Sequence, residues 1–254
     1  MSYQAITYGV TGGVALITLN RPEVMNALNR QMRLKITEAV GLAQDQARVL
    51  VLTGAGRAFC SGQDLADGIS DIEQTLRREY EPMLLAIMNS RIPTIAAVNG
   101  IAAGAGANLA LLADVVIAAD SASFIQAFTR IGLIPDAGGT WLLPRQVGLA
   151  RAMGAMLFAD KISAGQAAAW GMIYEAVPDA DFAAHWQARA ASLARGPGMA
   201  YAALKQALRA SWGNTLPQQL TLEAELQAQC GDTDDFREGV AAFMEKRVPR
   251  FQGR

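Results

Sequence analysis

The strongest constraint on the fold is a series of short runs of apolar and β-branched residues, each bounded by Gly, Pro, Asn or Asp. Four such runs occupy residues 14–19, 49–53, 94–98 and 115–118. Continuous apolar runs of this length are typical of strands that are covered on both faces. The sequence therefore predicts an α/β protein with a largely parallel sheet and helices between its strands.

Helical periodicity follows the first of these strands. Met32, Ile36, Val40 and Ala43 repeat at helical spacing after Asn29, a residue type that favours the N-cap position. Strand followed by helix is therefore the predicted opening unit.

Later helices are predicted within about residues 72–89 and 104–112, between the remaining strands. From residue 180 to 246 the chain consists almost entirely of helix formers, with Gly-containing breaks near residues 196, 213 and 231. This composition predicts a helical C-terminal subdomain in which leucine stripes serve packing or subunit contact.

Composition excludes several functional classes. The 254 residues are 52% hydrophobic and 18% charged, which is typical of a folded chain with one main domain. Basic and acidic residues are interleaved along the chain and the net charge is −1, so we expect no nucleic-acid partner.

No segment of the sequence predicts a membrane or export role. The N-terminus does not resemble a signal peptide, and apolar stretches end before about 18 residues, so we expect a cytoplasmic protein without a membrane partner. Cys60 and Cys230 are expected to be reduced, packed side chains.

Two glycine-rich loops are candidate binding elements. The first spans residues 54–65 and begins like a dinucleotide-binding fingerprint, but Phe59 stands where the third glycine is needed, which disfavours that interpretation. The second spans residues 99–108 and leads into a predicted helix, whose first N–H groups have no partner inside the helix. Such N–H groups could hold an oxyanion, or the small residues could serve helix packing alone.

Asp136 is the candidate acid or base. It stands between the apolar runs 131–134 and 141–143, where desolvation would raise its pKa towards neutrality. The competing interpretation is an aspartate that caps the turn 137–139. The only histidine, His185, has neither a nucleophile motif nor a second histidine to form a metal site, so no metal is predicted.

Five segments taken together resemble the crotonase superfamily, also called the enoyl-CoA hydratase/isomerase family. They are Asn20–Leu28, Gly56–Leu65, Ala97–Gly100, Gly138–Thr140 and Phe243–Arg247. The resemblance covers essentially the whole chain. It implies a ββα spiral core over residues 1–190, a helical oligomerisation region over 191–254, acyl-CoA thioester substrates, and a homotrimer or dimer of trimers. No cofactor is implied beyond the coenzyme A of the substrate.

The resemblance also implies roles for individual residues. The matching oxyanion-hole donors are the N–H groups of Ser61 and Ala105. Substrate and CoA contacts are implied, by position, for Arg21, Val24, Ala27, Gly62, Gln63, Asp64, Gly106, Asn108, Phe128 and Lys246.

One departure from the family pattern indicates which reaction of the family to expect. Hydratases of this family position water with two glutamates, and Asn108 and Phe128 occupy the matching positions. A carboxylate stands instead at Asp136, and one base beside an enolate is enough for an isomerase. The segments around Asp136 look closest to family members that isomerise a ring-1,2-epoxide of phenylacetyl-CoA. A hydratase is the alternative, and dehalogenases that use an aspartate as nucleophile are a further rival. Asp136 and the near-neutral charge argue against a non-catalytic acyl-CoA binder or an RNA-binding relative.

Overall fold

The computed structural model describes residues 5–68 and 71–253, and their secondary structure alternates between strands and helices in the first two thirds of the chain. The strands are β1 (Ile6–Thr11), β2 (Val14–Leu19), β3 (Val49–Gly54), β4 (Ala58–Cys60), β5 (Thr94–Val98), β6 (Ile101–Ala103), β7 (Val115–Ala119), β8 (Ser123–Ile125), β9 (Ile162–Ser163) and β10 (Glu175–Val177). The helices are α1 (Arg30–Gln46), α2 (Ile72–Thr75), α3 (Glu81–Met88), α4 (Ala105–Leu111), α5 (Gly139–Val147), α6 (Leu149–Phe158), α7 (Ala164–Ala169), α8 (Asp179–Ala194), α9 (Gly198–Ala210), α10 (Leu216–Gly231) and α11 (Asp234–Glu245). A π-helical segment, Leu76–Tyr80, joins α2 to α3.

The strands form two sheets. The larger has the order β1-β2-β3-β5-β7-β10, and every neighbouring pair in it is parallel except the antiparallel hairpin of β1 and β2. The smaller has the order β4-β6-β8-β9. All four strands predicted from apolar runs lie in the larger sheet, and the prediction of a largely parallel sheet is confirmed.

Successive strand pairs build a spiral. β3, β5 and β7 enter the larger sheet, and the short strands that follow them, β4, β6 and β8, pair in the smaller one. Each repeat therefore turns the chain from one sheet to the other before a helix returns it. This is the ββα spiral that the sequence resemblance implies, and the fold prediction is confirmed.

Local sequence explains where α1 begins. The Asn29 side chain accepts a hydrogen bond from the Met32 N–H at 2.9 Å, as its predicted N-cap position requires. The buried face of α1 includes Met32, Ile36 and Val40, which pack against the larger sheet. Burying three such side chains stabilises the fold by roughly 5 to 9 kcal/mol before the entropy of ordering is subtracted.

The C-terminal part is helical, as predicted, and consists of α8 to α11. Lys205 on α9 donates to Ile92 O at 2.7 Å and pairs with Asp114, which ties α9 to the sheet region. The predicted boundary at residues 190/191 falls inside α8, and the division into a core and an oligomerisation region stays a prediction. In the part of the chain that the structure describes, no helix is long and apolar enough to cross a membrane.

Candidate active site

The first glycine-rich loop leaves β3, passes through β4 and meets the start of α4. At Gly62, φ is +95°, and a Cβ atom would lie 2.8 Å from Ala103 O and 3.4 Å from Ala105 N. Glycine is therefore required here, because any side chain would push the first loop away from the second. The close approach brings the two glycine-rich loops together at the edge of a cavity.

Two backbone N–H groups at this crossing, those of Gln63 and Ala105, have no acceptor among the described residues. Leu28 pairs with Gln63 through hydrogen bonds from Leu28 N to Gly62 O and from Asp64 N to Leu28 O, so the Gln63 N–H points away from this pairing. Ala105 is the first residue of α4, and no side chain caps this helix start. The pair can therefore receive a carbonyl oxygen from the cavity.

The structure contradicts the prediction that Ser61 is one of these donors. The Ser61 N–H donates to Met25 O at 3.0 Å, and its hydroxyl donates to Val24 O at 3.3 Å. Ser61 lines the cavity, but its N–H is used inside the protein. The sequence placed Gln63 on the loop but did not indicate that its N–H is a donor to the cavity. Which N–H of the loop is available depends on the pairing with residues 25–28 and on the left-handed conformation of Gly62, and neither is a local property of the sequence.

Asp136 lies half-buried beside the same cavity. Its Oδ1 atom is buried without a hydrogen-bond partner in the described structure. Burial raises the pKa of Asp136 to about 6, and a hydrogen bond from its own backbone N–H opposes this rise. The capping interpretation fails, because α5 has no side-chain cap, and it is the backbone oxygen of Asp136, not its carboxylate, that accepts from Gly139 N, at 2.9 Å.

A buried amide pair holds the turn that carries Asp136. Asn108 Nδ2 donates to Asp136 O at 2.8 Å, and Asn108 Oδ1 accepts from Gln126 Nε2 at 2.8 Å. The next residue, Ala137, has a φ of 49°, a conformation that costs an alanine on the order of 1 kcal/mol. The buried amides stabilise this strained turn and so direct the carboxylate.

The cavity has a volume of about 290 Å³ and a mostly apolar wall. It is lined by Ser61, Gly62, Gln63, Leu65, Ile72, Thr75, Leu76, Tyr80, Gly104, Ala105, Ala127, Phe128, Arg130, Ile131, Leu133 and Asp136. Asp136 is the one carboxylate among these described residues. The wall therefore offers two N–H donors for an oxygen and a single group that can take up a proton near neutral pH.

Comparison with known proteins identifies the family. The sequence model described as enoyl-CoA hydratase/isomerase matches residues 9–254. The chain belongs to the enoyl-CoA hydratase/isomerase family. It is 64% identical to a Rhodobacter capsulatus protein named "Probable enoyl-CoA hydratase", over 100% of both chains. It is 46% identical to the 1,2-epoxyphenylacetyl-CoA isomerase of Escherichia coli, over 96% of this chain and 97% of that one. The crystal structure of an enoyl-CoA hydratase from Bacillus anthracis superposes with a TM-score of 0.93 at 32% identity, over 99% of this chain and 100% of that one.

Asn108 and Phe128 stand where hydratases of this family carry glutamates, and only Phe128 lines the cavity. Phe128 lines the cavity, as a substrate contact would. Asn108 is fully buried with both amide atoms bonded inside the protein, and Gly106 packs against Cys60, so neither lines the cavity. The structure thus contradicts a direct substrate contact for Asn108 and Gly106, because protein atoms occupy the space around them.

Most of the residues predicted to contact CoA lie on the first loop or next to it, and Lys246 is an exception. Arg21 Nη1 donates to Asp64 Oδ2 and to Ala27 O, both at 2.7 Å, and Val24 is partly exposed next to Ser61. Lys246 is exposed at the C-terminal end of α11 and does not line the cavity. Contact between these side chains and CoA stays a prediction.

The remaining candidates do not join the site. Burial raises the pKa of the Cys60 thiol to about 12, and its Sγ lies 3.1 Å from Asn26 O, so this cysteine is a packed thiol. His185 Nε2 lies 2.7 Å from Glu175 Oε1, away from the residues that line the cavity. Among residues 5–68 and 71–253, no cluster of three or more His, Cys, Asp or Glu side chains is placed to hold a metal ion.

Proposed function

We propose that this protein is an acyl-CoA isomerase in which Asp136 transfers a proton beside a thioester held by the N–H groups of Gln63 and Ala105. The observation that carries the proposal is Asp136, the single carboxylate among the described residues of the cavity wall. It is half-buried, one of its oxygens has no partner in the described structure, and its pKa is raised to about 6. A group with this pKa can accept a proton and return it near neutral pH.

The mechanism follows from where charge develops. The two N–H groups donate to the thioester oxygen and stabilise the negative charge that forms on it when a proton leaves carbon 2. For a 3-enoyl-CoA, the Asp136 carboxylate removes that proton, the electron pair moves through the enolate, and protonated Asp136 returns a proton to carbon 4. The double bond ends between carbons 2 and 3, and no water is consumed.

The proposed substrate is the ring-1,2-epoxide of phenylacetyl-CoA, together with 3-enoyl-CoA thioesters. The mainly apolar wall, which includes Leu76, Tyr80, Phe128 and Leu133, suits a hydrocarbon ring or chain. The E. coli relative named 1,2-epoxyphenylacetyl-CoA isomerase supports the ring epoxide. The proposal includes no cofactor other than the coenzyme A of the substrate.

Enoyl-CoA hydratase activity is the second candidate. It is favoured by the R. capsulatus relative, which is 64% identical and named as a probable hydratase. Hydration requires groups that activate water, and the two positions at which hydratases carry glutamates hold Asn108 and Phe128 here. The cavity wall supplies no second carboxylate among its described residues, which favours the isomerase.

The proposed assembly is a homotrimer or a dimer of trimers, working in the cytoplasm. Large apolar side chains are exposed on the C-terminal helices and just beyond them, among them Leu216, Leu220, Phe243, Met244 and Val248. Solvent-exposed groups of this size are typical of a surface that is covered by a partner.

The test is isomerisation without hydration by the purified protein. Wild type and Asp136→Asn are incubated in deuterium oxide with a 3-enoyl-CoA and, separately, with the ring epoxide. Products are followed by mass and absorbance, and acyl-CoA binding is measured by calorimetry. We expect wild type to form products of unchanged heavy-atom composition, and Asp136→Asn to lose roughly 10² to 10⁴-fold in turnover while still binding acyl-CoA.

The control for that experiment is Asp160→Asn, which changes an exposed carboxyl outside the cavity. It should match wild type. Prompt formation of 3-hydroxyacyl-CoA, with the added mass of water, would favour the hydratase. Unchanged turnover in Asp136→Asn would remove the proposed role of this residue.

A further inference from the structure

The side chain of Gln63 is fixed at three points, although the proposed function uses only its backbone N–H. Its Oε1 accepts from Tyr80 Oη at 2.6 Å and from Arg33 Nη1 at 2.8 Å. Its Nε2 donates to Asp64 O at 2.9 Å. A glutamine with this many short bonds has little freedom to rotate, so the peptide attached to it is also restrained.

Arg33 clamps both partners of the pairing that orients this peptide. Its Nη1 donates to Leu28 O at 2.7 Å as well as to Gln63 Oε1, and Leu28 is the residue with which Gln63 pairs. The side chain is only 2% exposed, and Glu79 balances its charge at 2.6 Å. A buried guanidinium presents several donors in a rigid plane, so it holds two acceptors in a defined relation.

Tyr80 lines the same cavity and contacts Gln63 from a different element. It is the last residue of the π-helical segment, a local widening that is often found at functional sites. Burial raises the pKa of the Tyr80 phenol, so it stays protonated and acts as the donor to Gln63. Because this proton is directed at Gln63, it is not available to a substrate in the same state.

We infer that Arg33 and Tyr80 are positioning residues that hold Gln63 so that its N–H faces the thioester oxygen, an inference that rests on the proposed function. The two hydrogen bonds act on the same oxygen of Gln63 from two elements, α1 and the π-helical segment. Apart from the Gln63 side chain, the peptide that carries this N–H is held by one backbone bond, from Leu28 N to Gly62 O at 2.7 Å. Without the side-chain anchor, the peptide can rotate about that single bond, and the N–H loses its direction towards the oxygen.

The main test is Tyr80→Phe, which removes one hydroxyl and keeps the ring that packs in the cavity wall. The probe is 4-(dimethylamino)cinnamoyl-CoA, whose absorption moves to longer wavelength as its thioester oxygen receives stronger hydrogen bonds. We expect a clear red shift with wild type and a smaller one with Tyr80→Phe. We also expect kcat for a 3-enoyl-CoA to fall about tenfold with KM little changed, a smaller loss than the roughly 10² to 10³-fold for a donor that is removed altogether.

Two further measurements distinguish the positioning role of Tyr80 from a purely structural role and from a direct effect on Asp136. If Tyr80 positions Gln63, thermal unfolding of Tyr80→Phe should be close to wild type. The pKa on the acidic limb of its pH profile should also be unchanged, because the positioning role does not involve the proton of Asp136. Tyr174→Phe is the matched control, since Tyr174 is 63% exposed and lies outside the cavity wall. It should reproduce the wild-type spectrum and kcat.

Arg33→Lys gives a second, independent variant. A lysine keeps the positive charge beside Glu79, but its ammonium cannot reproduce the planar arrangement that reaches Leu28 O and Gln63 Oε1 together. We expect the same loss of red shift as in Tyr80→Phe, in protein whose folding is checked by circular dichroism. If Arg33→Lys does not fold, Tyr80→Phe alone decides the question.

The outcomes separate this inference from the proposed function. A full red shift and full kcat in Tyr80→Phe would overturn the positioning role and leave the N–H pair untouched. No red shift in wild type would instead overturn the proposed thioester site itself. A shifted acidic limb in Tyr80→Phe would mean that this hydroxyl acts on Asp136 rather than through Gln63, and would also overturn the inference.

Discussion

Burial of one carboxylate oxygen raises the pKa of Asp136 to about 6, so this residue changes charge within the pH range in which enzymes are commonly assayed. The charge is held close to apolar side chains by a turn that Asn108 and Gln126 fix through buried amides. At the scale of the residue, the surroundings convert an ordinary acid into a group suited to proton transfer.

This shift predicts the pH dependence of the reaction. Only ionised Asp136 can accept a proton, so kcat/KM should rise with pH through about 6 and level off above it. The measurement is a rate profile from about pH 5 to about pH 8 with a 3-enoyl-CoA, with Asp160→Asn as the control that should keep the same limb. A limb near pH 4 would mean that Asp136 is not desolvated in the free enzyme.

The same shift affects stability with a definite sign. The folded-state pKa lies above the unfolded value, so the folded protein binds this proton more tightly, and the stabilisation is lost as pH rises from about 4 through 6. In Asp136→Asn this side chain is uncharged at every pH. The free energy of unfolding of the variant minus that of wild type should therefore be larger at pH 8 than at pH 4, by on the order of 1 kcal/mol after solvent screening. Urea unfolding at both pH values measures the difference.

At the scale of the elements, the site depends on how closely β4 and α4 pack. A Cβ atom at Gly106 would lie 2.7 Å from the Cys60 Cβ and even closer to its carbonyl oxygen, and a backbone oxygen cannot rotate away as the end of a side chain can. This contact, together with the one at Gly62, sets the distance between the two candidate N–H donors.

Gly106→Ala tests that packing. We expect it to lower the free energy of unfolding by about 1 to 3 kcal/mol and to reduce turnover strongly, because α4 must move away from the first loop. Gly41→Ala is the matched control: Gly41 is an exposed glycine within α1 with no atom near the added Cβ. That change should stabilise the protein by about 0.5 to 1 kcal/mol and leave turnover unchanged. Equal behaviour of the two variants in chemical unfolding and assay would contradict the packing argument.

At the scale of the whole molecule, apolar side chains on the last helix and shortly beyond it are exposed to solvent. Phe243 is 82% exposed, Met244 75% and Val248 83%. Burying side chains of this size is worth roughly 1.5 to 3 kcal/mol each, which is a strong drive for association.

Phe243→Asp should therefore weaken the proposed trimer. We expect light scattering after size exclusion to give the mass of a trimer or of a dimer of trimers for wild type and a smaller mass for the variant, because a charge in an apolar interface is costly. Val10→Asp, on the exposed side of the β1 hairpin, is the control and should keep the wild-type mass. A monomeric wild type, or a Phe243→Asp variant of unchanged mass, would contradict this assembly.

Elements with strong periodicity were predictable from the sequence, but elements that depend on distant pairing were not. The four apolar strands and the Asn29 cap are local, because neighbouring residues determine them. Strands β4, β6 and β8 have three residues each, too few for a periodic signal, and they exist because they pair in the second sheet. The π-helical segment lies inside a predicted helix, and its five residues are too few for periodicity to distinguish a π-helix from an α-helix.

The sequence by itself determined the family and the four apolar strands of the larger sheet, and it singled out Asp136 as the candidate carboxylate, since motifs, apolar runs and an isolated carboxylate are properties of the chain. Only the tertiary structure decided which N–H groups face the cavity. The Ser61 N–H donates to Met25 O, whereas the N–H groups of Gln63 and Ala105 have no acceptor among residues 5–68 and 71–253. The Asn108 side chain is buried and donates to Asp136 O, which holds the Asp136 turn. Hydrogen-bond partners come from segments far apart in the chain, so the direction of a donor is known only when those segments have packed.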